Sequence, residues 1–358
     1  MTTLLADRAG RLEAFLSSVR AAQGVSDVHL VGGAPTVRSG GRLVTLEVED
    51  QAESLVSDLE RDLSDDERNR LLRRGDVTVR RVGSFGLIRA HLYRERGRTC
   101  AALRLLHSTP PRFDALGLPD SIRGFAGASS GLVLLTGPVG VGKSSTLAAL
   151  VREMDEMQLD RHARIIESPT EWIHEPRHML VTHVSVGSRQ DADSYGSAVS
   201  SALRSDAQVI VIGELFHDDE TIPAALEAAV SGALVFATTH APTIAGALQS
   251  LVDAFPPEGE RRLRQMLADA MRGGSALRLL PRIDAVGRVP AAEVMVANDA
   301  IRTLIRKGDF AQLRSLEESG VDGMQTLEGN LNQLVSSGKV AARDARLVAS
   351  YPDLIVGA

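Results

Sequence analysis

"GLVLLTGPVGVGKSSTLAALVREM", Gly131 to Met154, is the stretch that decides the fold class. It opens with a compact apolar run, "GLVLL", that reads as a strand. Gly137-Pro138-Val139-Gly140-Val141-Gly142-Lys143-Ser144 then satisfies G-x-x-x-x-G-K-[ST]. "SSTLAALVREM" follows with helical character. A glycine-rich turn can match such a pattern by accident, but the strand before it and the helix after it make it a phosphate-binding loop. The glycines let successive backbone N–H groups face inward around phosphate oxygens. The helix N-terminus adds its positive end. On this reading Gly137, Pro138, Val139, Gly140, Val141, Gly142, Lys143, Ser144 and Ser145 bind ATP, with Lys143 on the β and γ phosphates and the Ser144 hydroxyl on Mg2+.

Downstream of the loop, "ARIIES", "HMLVTHVSV", "QVIVIG" and "ALVFATTH" are short apolar runs separated by helical segments. That alternation predicts an α/β domain with a mainly parallel sheet covered by helices. Ligands in such folds sit at the carboxyl ends of the strands. Three chemically capable residues fall at or near such ends: Glu167 after "RII", Glu214 after "VIVIG", and His240 after "LVFATT". Two carboxylates and an imidazole beside a γ-phosphate can orient a water, accept its proton and sense the phosphate. Taken singly, each has a blander explanation as a solvated residue, a helix cap or a structural histidine. "QVIVIGEL" also poses a difficulty, because in most phosphate-loop hydrolases that strand ends in an aspartate that helps hold magnesium. Gly213 stands there instead.

Upstream, Leu4, Leu5, Leu12, Phe15, Leu16 and Val19 recur at roughly helical spacing. Short β-runs between glycine-rich turns follow in "SDVHLVGGAPTVRSGGRLVTLE", then a charged helical stretch, "SDDERNRLLRR". Two further strand candidates, "DVTVRRVGSFGLIRAHLYRE" and "TCAALRLL", place Arg89, Arg94, Arg96 and Arg104 on one expected face. The paired prolines of "HSTPPRFDALGLPD" disfavour helix and ladder alike. The expected domains are therefore 1–107, a linker at 108–118, and 119–358, with the part from Pro256 onward mostly helical.

The 358 residues suit two or three domains, and 44% hydrophobic content is ample for a core although aromatics are only 3%. A net charge of −6 and the scarcity of aromatics argue against nucleic acid as a partner. The single cysteine, Cys100, forms no internal disulfide and reads as buried filler. The charged residues Asp7, Arg8, Arg11 and Glu13 interrupt the first apolar segment, and no run approaches membrane-spanning length, so the expected location is cytoplasmic. His174 and His178 are four apart near Glu171, but Pro176 between them breaks the helix a shared metal face needs. Asp218, Asp219 and Glu220 read as helix-start charge.

"RIIESPTEW", "VIVIGEL" and "GALVFATTHA", following "GPVGVGKSS", resemble the type II/type IV secretion ATPase superfamily, whose aspartate-box, Walker B ending in Gly-Glu and histidine-box come in this order. The resemblance extends to "SDVHL" and to "RAHLYRERGRTCAALR", the segment that supplies arginines to the phosphates. "AIRTLI" and "GMQTLEGNLNQLVSSGKV" are similar to the pilus retraction (twitching motility) branch. It implies a RecA-like core, a smaller N-terminal α+β domain of PAS-like type and a helical C-terminal region. It also implies a homo-hexameric ATP-hydrolysing motor at the cytoplasmic face of the inner membrane, working with a pilus platform protein and with a paralogous pilus ATPase as a further partner. Within it Glu214 acts near Mg2+ and water, Glu167 orients the water, His240 reports loss of the γ-phosphate, and Arg89 and Arg104 neutralise phosphate charge.

This sequence departs from the family pattern in several places. Ser168 replaces the aspartate of the aspartate-box, and Ala233 the first histidine of the histidine-box. Arg204-Ser205-Asp206-Ala207-Gln208 stands for Arg-Glu-Asp-Pro-Asp, and the arginine expected near Leu215–Phe216 is missing. A pilus assembly or type II secretion ATPase, and a low-activity accessory paralogue that binds ATP, are therefore alternatives to a retraction motor.

Overall fold

The computed structural model describes residues 3–22, 25–39, 42–48, 50–106, 109–168, 170–187, 191–215 and 220–357. The chain divides into two compact units, Met1–Ser108 and Thr109–Ala358.

The first unit contains α1 (Thr3–Ala21), β1 (Val25–Leu30), β2 (Thr36–Ser39), β3 (Arg42–Thr45), α2 (Ala52–Arg61), α3 (Asp65–Arg74), β4 (Asp76–Gly83), β5 (Gly86–Glu95) and β6 (Arg98–Leu106). Its strands form one antiparallel sheet in the order β3-β2-β1-β6-β5-β4. Period-two alternation sends Val77, Val79, Ile88, Ala90, Leu92, Ala101, Leu103 and Leu105 to one face, where they pack with Phe15 and Leu16 of α1 and Leu55 and Leu59 of α2. The charged stretch does become a helix: Ser64 and Glu67 close a capping box at the start of α3, and Gly75 ends it in the left-handed region.

The other face of the sheet carries a polar row fixed by register. Arg80 lies opposite Arg89, Arg89 opposite Arg104, Arg104 opposite Asp27, and Asp27 opposite Arg38. The expectation of a single arginine face therefore holds for Arg89 and Arg104 and fails for the other two. Arg94 is an odd number of residues from Arg89, so the pleat turns it to the opposite face. Arg96 occupies the β5–β6 turn with φ of 48°.

In the second unit α4 (Asp120–Arg123) precedes β7 (Gly131–Thr136), α5 (Lys143–Glu156), β8 (His162–Glu167), β9 (Leu180–Ser185), α6 (Tyr195–Arg204), β10 (Val209–Ile212), α7 (Thr221–Val230), β11 (Leu234–Thr238), α8 (Ile244–Asp253) and α9 (Pro257–Ala270). Then come β12 (Met271–Pro281), β13 (Arg288–Val296), α10 (Asp299–Lys307), α11 (Leu313–Glu317), α12 (Leu327–Ser336) and α13 (Ala342–Val348). The sheet order is β13-β12-β7-β11-β10-β8-β9, parallel except for the antiparallel β12–β13 pair. Strands β7, β10 and β11 are buried along their whole length, which is why they read as unbroken apolar runs. Phe113 and Ile122 sit in the core on the α5 side of this sheet, so the chain soon after the paired prolines is built into the second unit.

The expected helical tail is only partly so. Two long strands, β12 and β13, fall inside it. Gly273, Gly274 and Pro290 break the apolar pattern that signals a strand, yet pairing with β7 holds β12 in place. A separate apolar cluster of Leu280, Val289, Ala291, Leu327, Leu331 and Ala345 seats α12 and α13 on the β12–β13 pair. Among the described residues no helix is long and apolar enough to cross a membrane.

Candidate nucleotide site

The ends of β7, β8, β10 and β11 converge at one edge of the second unit's sheet, because parallel pairing keeps Leu135, Ile166, Ile212, Ala237 and Thr238 in step. From the end of β7 the chain curls through Gly137 (φ 132°), Gly140 (φ 81°) and Gly142 (φ 102°) into α5. Gly137 is required twice over. Its φ lies in the left-handed range, and a Cβ there would stand 2.6 Å from the Leu277 carbonyl oxygen.

Lys143, the first residue of α5, is buried inside the curl. Its Nζ donates to the carbonyls of Gly137 at 2.6 Å and Pro138 at 3.0 Å. Burial pulls its pKa down, while the carboxylates of Glu214 and Glu171 push back. Ser144 and Ser145, half-buried, occupy the first turn of the same helix.

His240 joins the loop to the end of β10. Its Nε2 lies 3.0 Å from Glu214 Oε1, and its Nδ1 lies 3.5 Å from Lys143 Nζ. A charged ammonium can only donate, so Nδ1 accepts and the ring proton belongs on Nε2, which donates to Glu214. The line Lys143–His240–Glu214 thus joins three of the candidates found in the sequence. Neighbouring hydroxyls brace it. Thr238 Oγ1 donates to the Gly213 carbonyl at 2.6 Å, and Thr239 Oγ1 donates to Thr136 Oγ1 at 2.8 Å.

Gly213 answers the question of the missing aspartate. A Cβ at this position would lie 2.8 Å from Glu167 Cβ and 3.3 Å from Glu167 Cα. The end of β8 passes too close for any side chain. Glu167 can approach this place because residue 213 is bare.

Glu167 itself is mostly buried. Burial raises its pKa, opposed by His183, whose Nδ1 lies 3.7 Å from Glu167 Oε1. The Glu171 N–H donates to the same oxygen at 3.2 Å. A narrow cleft lined by Ser144, Leu147, Glu167, Trp172, His174 and Gly213 runs alongside. Tyr195 is pushed up to about 12 by burial and by the charges of Glu214 and Glu167. The sequence reading gave no role to Trp172, which lines the cleft, to His183, which faces Glu167, or to Tyr195, which feels the charges of Glu214 and Glu167.

The remaining candidates stand as follows. His174 is held down at about 3 by burial and by repulsion from His183, with the rings 5.7 Å apart. Its neutral, half-buried imidazole lines the cleft, and no cluster of metal-ligating side chains occurs among the described residues. Asp218 and Asp219 lie outside the described residues. Glu220 is the N-cap residue of α7 but makes no side-chain capping bond. Cys100 is buried, and its thiol is pushed up by burial and by Glu95, the opposite of a reactive cysteine. In the first unit, Arg104 Nε donates to Asp27 Oδ1 at 2.9 Å.

The family described as type II/IV secretion system protein matches residues 92–285, a span that contains the loop, Glu167, Glu214 and His240. The chain belongs to this family. Among curated proteins, it is 33% identical over 344 residues to the Pseudomonas aeruginosa type IV pilus retractation ATPase PilT. That match covers 94% of this chain and 98% of the relative. It is 38% identical over 247 residues to the Neisseria gonorrhoeae twitching motility protein, covering 69% of this chain and 65% of that one. The fold superposes on the crystal structure of the pilus retraction motor PilT with bound ADP at a TM-score of 0.87 and 34% identity, covering 96% and 98% of the two chains. The Gly-Glu ending of β10 is thus found in a chain aligned along almost its whole length with a retraction ATPase.

Proposed function

We propose that this protein is an ATP-hydrolysing motor that drives type IV pilus retraction. The observation that carries the reading is the Lys143–His240–Glu214 line at the mouth of a phosphate loop, in a chain spanning 98% of a pilus retraction ATPase. Phosphoryl transfer calls for positioning and charge neutralisation more than for covalent chemistry. Lys143 and the loop N–H groups would hold the triphosphate. Glu214 would take up the proton of the attacking water, and Glu167 would orient that water. His240, hydrogen-bonded to Glu214 and next to Lys143, would couple the water side of the site to the phosphate side. Arg89 and Arg104, side by side in the register of β5 and β6, are the proposed source of further positive charge.

Ser144 and Glu214 offer hard oxygen donors suited to Mg2+. Bound there, the ion would neutralise charge on the β and γ phosphates.

The finer fold assignments belong to the same proposal: a PAS-like N-terminal domain over 1–107, a linker at 108–118 and a RecA-like domain over 119–358 with its helical tail. So do the homo-hexameric ring, the position at the cytoplasmic face of the inner membrane, the platform-protein partner and a paralogous pilus ATPase as a second partner.

One observation bears on the accessory-paralogue alternative. Ala233 lies just before β11, where its carbonyl accepts the Gly131 N–H at 2.9 Å, at the opposite end of the strand from His240. Its replacement of a histidine therefore leaves the catalytic edge untouched. Ser168, next to Glu167, and the arginine missing at Leu215–Phe216, next to Glu214, are the departures beside site residues, so hydrolysis by the purified protein decides between motor and accessory. Gene deletion tests direction: excess surface pili without movement supports retraction, whereas bald cells would overturn it in favour of assembly.

A further inference from the structure

The turn that carries His240 into α8 is held from three sides. Thr136 Oγ1 donates to the Ala241 carbonyl at 2.6 Å. An Arg278 terminal nitrogen donates to the Pro242 carbonyl at 2.8 Å. The Ile244 N–H donates to Glu293 Oε1 at 2.9 Å. Three links within four residues of His240 leave this segment little freedom.

Two of the three holders are unusual. Arg278 and Glu293 are only 8% and 5% exposed, and charged side chains are seldom buried so far unless something specific is paired with them. They sit on β12 and β13, the strand pair that also reaches the phosphate loop, since the Leu277 carbonyl abuts Gly137. β13 is gripped in turn from the C-terminal region. The Ala292 N–H donates to Asn330 Oδ1 at 2.9 Å, and Gln325 Nε2 donates to the Ala292 carbonyl at 2.8 Å.

We propose that Glu293 and Arg278 are positioning residues for ATP hydrolysis, which fix the His240–Ile244 turn so that the imidazole stays between Lys143 and Glu214. Glu293 acts through the reach of its carboxyl oxygen to the Ile244 N–H, and Arg278 through the Pro242 carbonyl. Neither touches nucleotide. Because Gln325 and Asn330 hold the neighbouring residue of β13, the setting of the histidine depends on the seating of the C-terminal helices. This inference rests on the reading of His240 as a group of the ATP site.

The test is a pair of substitutions that separate reach from charge in the full-length protein. Glu293→Asp keeps the charge and draws the oxygen back by one bond. Glu293→Gln keeps an oxygen at the same reach and removes the charge. Steady-state turnover of MgATP is measured beside the affinity for a fluorescent ADP. Glu293→Asp should lower kcat about tenfold or more while ADP affinity and KM stay within about threefold, because displacing a reacting group by about 1 Å is costly in rate. Glu293→Gln should restore kcat to near the wild-type value. Arg278→Met, which keeps bulk and loses the donor, should show the same loss of kcat without loss of affinity. The proposal is overturned if Glu293→Asp turns over ATP like the wild type, if Glu293→Gln is the more impaired of the two, or if affinity falls in step with kcat. A wild-type protein that binds ADP without hydrolysing ATP would instead bring down the motor reading on which the proposal stands.

Discussion

His240 donates from Nε2 to Glu214 Oε1 across 3.0 Å, while its other ring nitrogen faces the Lys143 ammonium at 3.5 Å. One imidazole therefore bridges the residue proposed to grip phosphate and the residue proposed to activate water. Glu214→Gln keeps the shape of the side chain and removes its basicity. Nucleotide affinity should stay within about threefold while kcat falls by about 10²-fold or more, the usual scale for removing a general base. Lys143→Ala should abolish turnover together with binding. Calorimetry with MgADP beside a phosphate-release assay separates the two outcomes, and full turnover by Glu214→Gln would refute its assignment.

Gly213 invites a counter-intuitive test. Installing the aspartate found at the end of this strand in most phosphate-loop hydrolases should harm the protein, because a Cβ at 213 collides with Glu167 at 2.8 Å. Gly213→Ala is the cleaner probe. Overpacking of this kind costs about 1–3 kcal/mol, and each kcal/mol lowers Tm by about 2–4 °C in a body of this size. Turnover should fall more than nucleotide affinity, since the group displaced is Glu167 rather than the loop. A Gly213→Asp protein with improved kcat would show that β8 can yield.

Arg104 is half-exposed and bound to Asp27 at 2.9 Å. Burial raises the Asp27 carboxyl, but hydrogen bonds from Ser26 and Arg104 outweigh it and hold its pKa low. Because solvent screens the half-exposed guanidinium, the pair contributes about 0–1 kcal/mol to stability. Arg104→Ala should therefore leave Tm nearly unchanged. If the arginine serves the triphosphate, turnover should still drop by about tenfold or more, in the range seen for arginines that stabilise transferring phosphate. Asp27→Ala, which releases the guanidinium, should not lower turnover. Equal turnover in Arg104→Ala and wild type would leave this side chain as part of a surface ion pair.

One buried carboxyl adds a contribution of known sign to the dependence of stability on pH. Glu317 is 4% exposed, and its pKa is raised chiefly by burial and by repulsion from Glu293, with Arg314 opposing, Glu328 and Glu318 adding to the rise. The folded chain keeps this proton where the unfolded chain has lost it. The contribution of Glu317 to stability is therefore greatest at acidic pH and falls as pH rises from the ordinary carboxyl range through the raised folded value. Glu317→Gln is free of that loss. At pH 8 it should be the more stable form, and the gain should shrink towards pH 5. Melting curves at three pH values would show it, and a pH-independent difference would contradict the assignment.

Much of the site was legible before any coordinates. The loop from Gly137 to Ser145 has the spacing expected of a phosphate cradle between a strand and a helix, and β7, β10 and β11 read as apolar runs because they are buried along their whole length. Glu167, Glu214 and His240 could be picked out because parallel strands deliver their last residues to one edge. The arginines were harder. Period-two alternation keeps Arg89 and Arg104 together, but a face assigned without the register swept in Arg94 and Arg96 as well.

Local sequence thus determined the phosphate loop, the strand ends and the order of the chemical groups, because each depends on backbone preferences and apolar patterns within a few residues. Tertiary structure alone decided what those groups touch. Only packing brings β8 so near that residue 213 must lack a side chain, and only strand pairing draws a glycine-broken segment into β12 beside the loop. Arg278 and Glu293 grip the histidine turn from 36 and 49 residues away in the chain. Contacts at such separations follow from how the sheet closes, and no short-range pattern announces them.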